Sequence, residues 1–412
     1  MARHELSEEA LAPADRLAPV DLAIGVLTYN NAETIDGVLA AAAAGVASLG
    51  VARTALIVSD AGSSDDTRER AAASTLPAVV VEHEAPAGER VAVPFHGVPG
   101  RGAALRAAFT VAQRLKARAL VLLEADAVSA APAWIERLAG PPLQDKGDFV
   151  TAAYTRHRYE GTISRLVLGP LVQALYGRRL HHPFGGQQAL SARLIEHLLI
   201  HPKWSWTGTD VSDLWITGTA IADGFGVWEA WLGPHQVRSR TRAMDLPAMI
   251  VQTLGAAFTV MERHGDLWTE VRGSEPIPAV GEPVPPGVEP MTIDVERMQD
   301  AFRQGARDLT AIWELILAPE TLADVLALDG EAPLRFPDDL WARVVYDFAL
   351  GHHYTVVHRD HLLRSLTPLY LGRTAAFVLA TRAAGTAATQ ARLDAVAAGF
   401  ERQKPYLVEH WR

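Results

Sequence analysis

The chain has no cysteine among its 412 residues, which excludes disulfides, thiolate metal sites and thiol nucleophiles. Long apolar runs are missing as well. The longest, Leu246 to Met261, contains Pro247 and Gln252 and falls short of the roughly 20 residues that a membrane-spanning helix requires. The opening stretch lacks the apolar core of a signal peptide, so the expectation is a cytoplasmic protein without stable membrane insertion. Positive charge is also in deficit. Lys and Arg number 38 against 48 Asp and Glu, a net charge of -10, which argues against nucleic acid or an anionic lipid surface as the main partner.

What remains is ordinary for a globular protein: 49% of residues are hydrophobic and 21% charged. A chain above roughly 300 residues usually divides into two domains. Residues 1–18 are polar, acidic and punctuated by proline, and read as a mobile tail. Residues 19–240 alternate short apolar runs with helical patterns. From 241 onward, past a linker rich in Pro and Gly between Pro276 and Pro290, helical periodicity dominates. Met298, Phe302, Leu309, Ile312, Trp313 and Ile316 recur at helical spacing, as do Leu393, Val396, Ala397 and Phe400. Pro368 should kink or end the helical run that contains it.

Within 19–240 the runs Asp21–Thr28, Thr54–Val58, Ala78–Glu82 and Ala119–Glu124 read as buried strands separated by helices. That order implies βαβ units and a mostly parallel α/β sheet with right-handed crossovers. Ligands of such sheets sit beyond the carboxyl ends of the strands. Thr28, Tyr29, Asn30, Asn31, Asp60, Glu124, Ala125 and Asp126 all fall at those ends. Side chains two apart on a strand share a side, so Glu124 and Asp126 can converge on one cation. A divalent ion held there would take nucleotide phosphates as further oxygen ligands. Asp60 could accept hydrogen bonds from a base or ribose, and Arg101, between Gly100 and Gly102, suits a pyrophosphate. Further on, Asp213 opens a helix that runs to Asp223 and is closed by Gly224. A second helix is expected over Leu190 to Leu199, and a strand over Val227 to Leu232. The four neighbouring histidines His352, His353, His358 and His361 read as a solvated helical face, not as a metal site. The tryptophans Trp204, Trp206, Trp215, Trp228 and Trp231 read mostly as core.

The motifs LTYNNAETI at 27–35, SDAGSSDDT at 59–67, Gly100-Arg101-Gly102 and Glu124-Ala125-Asp126, in that order, resemble the GT-A glycosyltransferase fold in its family 2-like branch. The later segments Tyr154-Thr155-Arg156, Glu160-Gly161-Thr162, His182 to Gly186, Asp213 to Thr217 and Glu229 to His235 narrow the resemblance to the mannosylglycerate synthase and glucosyl-3-phosphoglycerate synthase type. The resemblance implies a GT-A domain, Rossmann-like, followed by a helical C-terminal domain. It implies a hexosyltransferase that uses Mg2+ or Mn2+, a donor such as GDP-mannose or UDP-glucose, a small carboxylate acceptor such as glycerate or 3-phosphoglycerate, and retention of anomeric configuration.

Carried over residue by residue, the resemblance makes Asp126 and His235 metal ligands. Glu124 stands where the family usually has Asp, with contact to the metal or ribose. Asp213 is the acid facing the acceptor. Arg156 or Arg158, with Thr162 or Ser164, would hold the acceptor carboxylate, and Phe184, Gly185 and Gly186 would line its pocket. Gln187 departs from the acid that often follows those glycines. Three rivals stand beside this reading: a lipid or polysaccharide acceptor, a nucleotidyltransferase, and an inactive nucleotide-sugar-binding protein. Against the nucleotidyltransferase, Thr28 to Glu33 has none of the Gly, Arg or Lys such a loop needs. Apolar faces of the C-terminal helices could support a homodimer or simply cover the catalytic domain.

Overall fold

The computed structural model describes residues 6–94, 96–183, 185–202, 213–237, 245–284 and 291–412. The chain forms two compact units. The first comprises Met1–Thr155, His182–Ala243 and Ile277–Pro285; the second comprises Arg156–His181, Met244–Pro276 and Pro286–Arg412. The division therefore differs from a single cut at 240, because residues 156–181 leave the first unit and join the helical one. Such an exchange depends on long-range packing that no local pattern encodes.

The first unit is built on an eight-stranded sheet. Its strands are β1 (Leu22–Thr28), β2 (Thr54–Asp60), β3 (Ala78–Glu82), β4 (Ala119–Glu124), β5 (Phe149–Thr155), β6 (Gln188–Ser191), β7 (Val227–Pro234) and β8 (Ala279–Val280). Their order across the sheet is β8-β7-β5-β6-β4-β1-β2-β3. Only β6 runs antiparallel to its neighbours β4 and β5; the other pairings are parallel. This is the mostly parallel, helix-flanked α/β sheet expected of a GT-A domain. β1 is buried along its whole length, as a central parallel strand covered on both faces must be. Its apolar side chains join those of the helices Ile35–Leu49 and Pro132–Leu143 in one core that includes Ile24, Val26, Val38, Leu56, Val121, Trp134 and Ile135.

Three local expectations change. Residues Glu8–Leu17 form a helix with Leu11 and Ala14 buried, where a mobile tail was expected. Ser7 caps it by accepting from the Ala10 amide at 3.2 Å, and the ion pairs of Arg114 with Glu8 and Asp15 hold it to the helix Arg101–Arg114. The stretch expected as one helix over 190–199 splits into β6 and the helix Ala192–Ile200, with Ser191 capping that helix. β2 and β7 each run two residues further than expected, to Asp60 and Pro234.

The second unit is helical. Its longer members are Leu246–Arg263, Val295–Asp308, Asp338–Tyr354, Thr367–Thr381 and Thr386–His410. Trp268, Trp313, Trp341, Tyr346 and Phe302 are among its fully buried side chains. Pro368 lies in the first turn of Thr367–Thr381, directly after the helix Arg359–Ser365, so it separates two helices as expected. The four neighbouring histidines go to different partners. His352 is buried, unlike the solvated face expected, and meets Glu262 at 2.9 Å; His353 stacks on Trp411, and His358 meets His361 edge-on. No helix of the described residues is long and apolar enough to cross a membrane.

Candidate active site

The parallel strands of the first unit end at one edge of the sheet, and register fixes what they bring there. Thr28 faces Asp60 across β1 and β2, and Leu27 faces Glu124 across β1 and β4. A cleft at this edge is lined by Asn31, Gly97, Arg101, Glu124, Asp126 and Gly186, among others.

The turn after β1 and the turn after β2 are laced together by short polar side chains. Asn30 takes a positive φ of 53° and accepts the Ser64 amide at 2.8 Å, while its own amide donates to Ser63 Oγ at 2.8 Å. Asn31 Oδ1 accepts the Tyr29 amide at 2.8 Å, and the Asn31 amide donates to Thr67 Oγ1 at 2.6 Å. Asp60 is fully buried, and its carboxylate accepts four hydrogen bonds: from Thr28 Oγ1, the Gly62 and Ser63 amides, and Ser63 Oγ, at 2.6 to 2.9 Å. A carboxylate offers about four acceptor positions, so Asp60 is occupied in organising the turn. Its expected contact to a base or ribose would have to displace one of these bonds. The Thr34 hydroxyl donates to the Ala125 carbonyl at 2.7 Å and ties the same turn to the end of β4.

Arg101 is the first residue of its helix and is buried. Gly100 before it has a φ of 65°, and a Cβ there would meet the Glu84 carbonyl oxygen at 2.4 Å, so only glycine fits. The loop is pinned from two sides. The Gly100 amide donates to Glu89 at 2.7 Å, and His83 Nε2 lies 2.9 Å from the Pro99 carbonyl. A bond to that carbonyl requires the proton on Nε2, which leaves Nδ1 to accept from Ser59 Oγ at 3.0 Å. Burial pushes the His83 imidazole below its ordinary value.

The Arg101 guanidinium donates from Nη2 to both oxygens of Asp213, at 2.8 and 2.9 Å. Gln188, the first residue of β6, adds a bond to Asp213 at 3.1 Å. Burial works against the charge on Arg101, but Asp213, Glu124 and Asp126 raise its pKa beyond the usual value. Burial raises the Asp213 carboxyl, and Arg101 partly offsets that. Among the described residues the buried Arg101 Nε has no hydrogen-bond partner, a donor left over beside the acidic group of the cleft.

Glu124 and His235 meet. Glu124 Oε2 lies 3.1 Å from His235 Nε2 and accepts from Gln187 Nε2 at 3.1 Å. Burial works against its charge, yet His235, Arg101 and Gln187 hold the carboxyl below the usual range. His235 stacks on Tyr154 with ring centroids 4.2 Å apart, and the Tyr154 hydroxyl donates to Gln187 Oε1. Gln187 thus links Tyr154 to Glu124; an acid in its place would set a second negative charge against Glu124. The loop carrying His235 is fastened to the turn after β4 by a bridge between Ala127 and Val237 and by the Gln236 amide donating to Ser129 Oγ at 2.9 Å. That contact brings a residue 111 positions away onto Glu124.

Gly186 completes the arrangement. A Cβ there would stand 1.8 Å from Glu124 Oε1, so the glycine is what allows the carboxylate its position. Gly185 is equally confined, with a Cβ that would meet the Ala152 carbonyl at 2.7 Å. The spacing of Glu124 and His235 suits a cation: two adjacent ligands held at about 2.1 Å in an octahedron stand about 3 Å apart. The 3.1 Å contact is also an ordinary hydrogen bond; the sequence reading set Asp126 and His235 first as ligands. Asp126 lines the same cleft.

The expected acceptor residues are distributed differently. Arg156, Arg158, Thr162 and Ser164 belong to the second unit. There Arg158 donates to the carbonyls of Thr381 and Ala384 at 3.1 and 2.5 Å, capping the end of the helix Thr367–Thr381. Thr162 Oγ1 is bonded to the Tyr370 hydroxyl. Ser164 begins a short π-helical turn, Ser164–Leu168. Phe184 lies outside the described residues, as do Trp204 and Trp206. Gln187, Gln188 and Tyr154 are the site residues the sequence reading did not single out for roles. Their polarity on short strands was visible, but their partners were not.

No family model matches the chain, and no curated protein does. Among solved structures it is similar to glucosyl-3-phosphoglycerate synthase from Mycobacterium tuberculosis in several complexes. The complex with phosphoglyceric acid is 25% identical, with 64% of this chain and 86% of that one covered and a TM-score of 0.45. The complex with Mn2+, UDP and phosphoglyceric acid is 24% identical, covering 64% and 84%, with a TM-score of 0.45. The complex with Mn2+, UDP-glucose and glycerol 3-phosphate is 24% identical, covering 64% and 86%, with a TM-score of 0.44.

Proposed function

We propose that the protein is a divalent-metal-dependent glycosyltransferase that moves a hexose from a nucleoside diphosphate sugar to a small carboxylate acceptor such as glycerate or 3-phosphoglycerate. The observation that carries this reading is the Glu124–His235 pair at the carboxyl edge of the parallel sheet, 3.1 Å apart and beside the buried Arg101–Asp213 ion pair. The solved synthases hold Mn2+, UDP-glucose and phosphoglycerate; this agrees with the reading but does not carry it.

In this reading Glu124, His235 and Asp126 hold Mg2+ or Mn2+, and the ion supplies Lewis acidity for the leaving diphosphate. Arg101 offers its Nε donor and its positive charge to the diphosphate. The laced turn Thr28–Asn31 with Ala125 shapes the nucleoside end, and Asp60 keeps that turn rigid. Asp213, taken by Arg101 and Gln188, positions Arg101 as well as offering a carboxylate towards the acceptor. Arg156, with Thr162 or Ser164, is assigned to the acceptor carboxylate; Arg158 is less suited, because its Nη1 is spent on helix carbonyls. A guanidinium fits that task because it can engage both carboxylate oxygens. Cytoplasmic location and a choice of glucose or mannose belong to the same proposal.

The test is a screen of UDP- and GDP-hexoses against glycerate, 3-phosphoglycerate and glycerol 3-phosphate, with Mn2+ or Mg2+ and mass detection of product. Transfer to one of these acids in the presence of metal is expected. If no donor is transferred or hydrolysed, and no nucleotide binds, the enzyme reading is wrong.

A further inference from the structure

Away from the carboxyl edge of the sheet, His197, His201 and Asp223 bring three possible ligand atoms within 4.8 Å of one another. His197 Nε2 lies 2.6 Å from Asp223 Oδ2, and His201 Nε2 lies 3.5 Å from the same oxygen. The histidines are four apart, on the helix Ala192–Ile200 and at its C-cap, so both imidazoles face the same way. Asp223 directly follows the helix Asp213–Ala222 and stands four residues before β7. β7 begins opposite the first residue of β5, so the cluster lies near the edge where the parallel strands start, opposite the edge that carries Glu124.

We propose that these three side chains form a second metal site, for a borderline-soft transition-metal ion of the zinc type. Two imidazoles and one carboxylate match the ligand chemistry of Zn2+, not the all-oxygen shells of Mg2+. Ligands about 2.0–2.1 Å from a tetrahedral ion stand about 3.3 Å apart, and the observed 2.6 and 3.5 Å bracket that spacing. The rings are already oriented by packing. His201 meets the buried Trp215 edge-on at 5.5 Å, and His197 lies against Phe225 at 5.0 Å. Asp223 and His197 keep about a third of their side-chain surface in solvent, 32% and 35%, which gives an ion a way in and leaves the fourth position to water. Bound there, the ion ties the end of one helix to the end of the helix that begins with Asp213.

The test is equilibrium dialysis of the full chain against Zn2+ with metal analysis, in wild type, His197→Ala, His201→Ala, Asp223→Asn and His235→Ala, each checked for folding by circular dichroism. One zinc equivalent is expected that persists in His235→Ala and in excess Mg2+, and that weakens by at least about tenfold when either imidazole is removed. Co2+ should give the visible band of a four-coordinate site in the wild type, which keeps the proposal testable should a His variant fail to fold. Zinc binding of equal stoichiometry and affinity in His197→Ala and His201→Ala would overturn it. So would a wild type that binds no zinc beyond the equivalent lost in His235→Ala, or Co2+ that shows no four-coordinate band.

Discussion

At the scale of single residues, position is decided by what each side chain is made to touch. Gly186 carries no side chain and yet sets where Glu124 can stand, because a methyl group there would overlap the carboxylate. Gly186→Ala is expected to push Glu124 away from His235, with an overpacking penalty of about 1–3 kcal/mol and a loss of metal-dependent activity larger than the loss of stability explains. Thermal melts alongside metal-titrated rates check this, and a variant with wild-type metal response would show that the cradle is dispensable. Gln187 makes a related point. It was legible only as a departure from an acidic pattern, whereas its amide donates to Glu124 and accepts from Tyr154. Asp60 was legible as a strand-end acid, but its four internal hydrogen bonds were not, since they depend on how the turn closes.

At the scale of elements, the ends of β1, β3 and β4 were readable because apolar runs stop at polar turns, whereas β2 carries its ladder two residues past its apolar run, to Asp60. β5 was not readable, because Phe149 to Thr155 mixes alanine and threonine without an apolar run. β6 was hidden for a different reason: it opens with Gln188, which is buried but polar, and it leads straight into a helix. The loop before Arg101 depends on His83, which joins β3 to Pro99. Its folded-state pKa lies below the ordinary histidine value because burial disfavours the charged ring. The unfolded chain therefore binds the proton more readily, and stability falls as pH drops below about 6.5 towards the folded value. His83→Gln is expected to flatten the fall in melting temperature across that window. An unchanged acid slope would mean that other groups, such as the half-buried His96, whose pKa desolvation also lowers, dominate it.

At the scale of the whole molecule, the α/β class and the helical character of the later chain were evident from patterning. The assignment of residues 156–181 to the helical unit was not, since membership of a unit is a matter of contacts across more than 200 positions, such as Arg158 with Thr381. That reassignment moves Arg156, Thr162 and Ser164 into a different unit from Glu124 and His235. The proposed function turns on the first unit, in which Glu124 and His235 are proposed to hold the ion through which a nucleoside diphosphate binds. Calorimetric titration of UDP and GDP, with and without Mn2+, into wild type, Glu124→Gln and His235→Ala measures this directly. Mn2+ is expected to tighten nucleotide binding in the wild type and to do so at least about tenfold less in either variant. Nucleotide binding that ignores Mn2+ in the wild type, or an undiminished Mn2+ effect in both variants, would contradict the account.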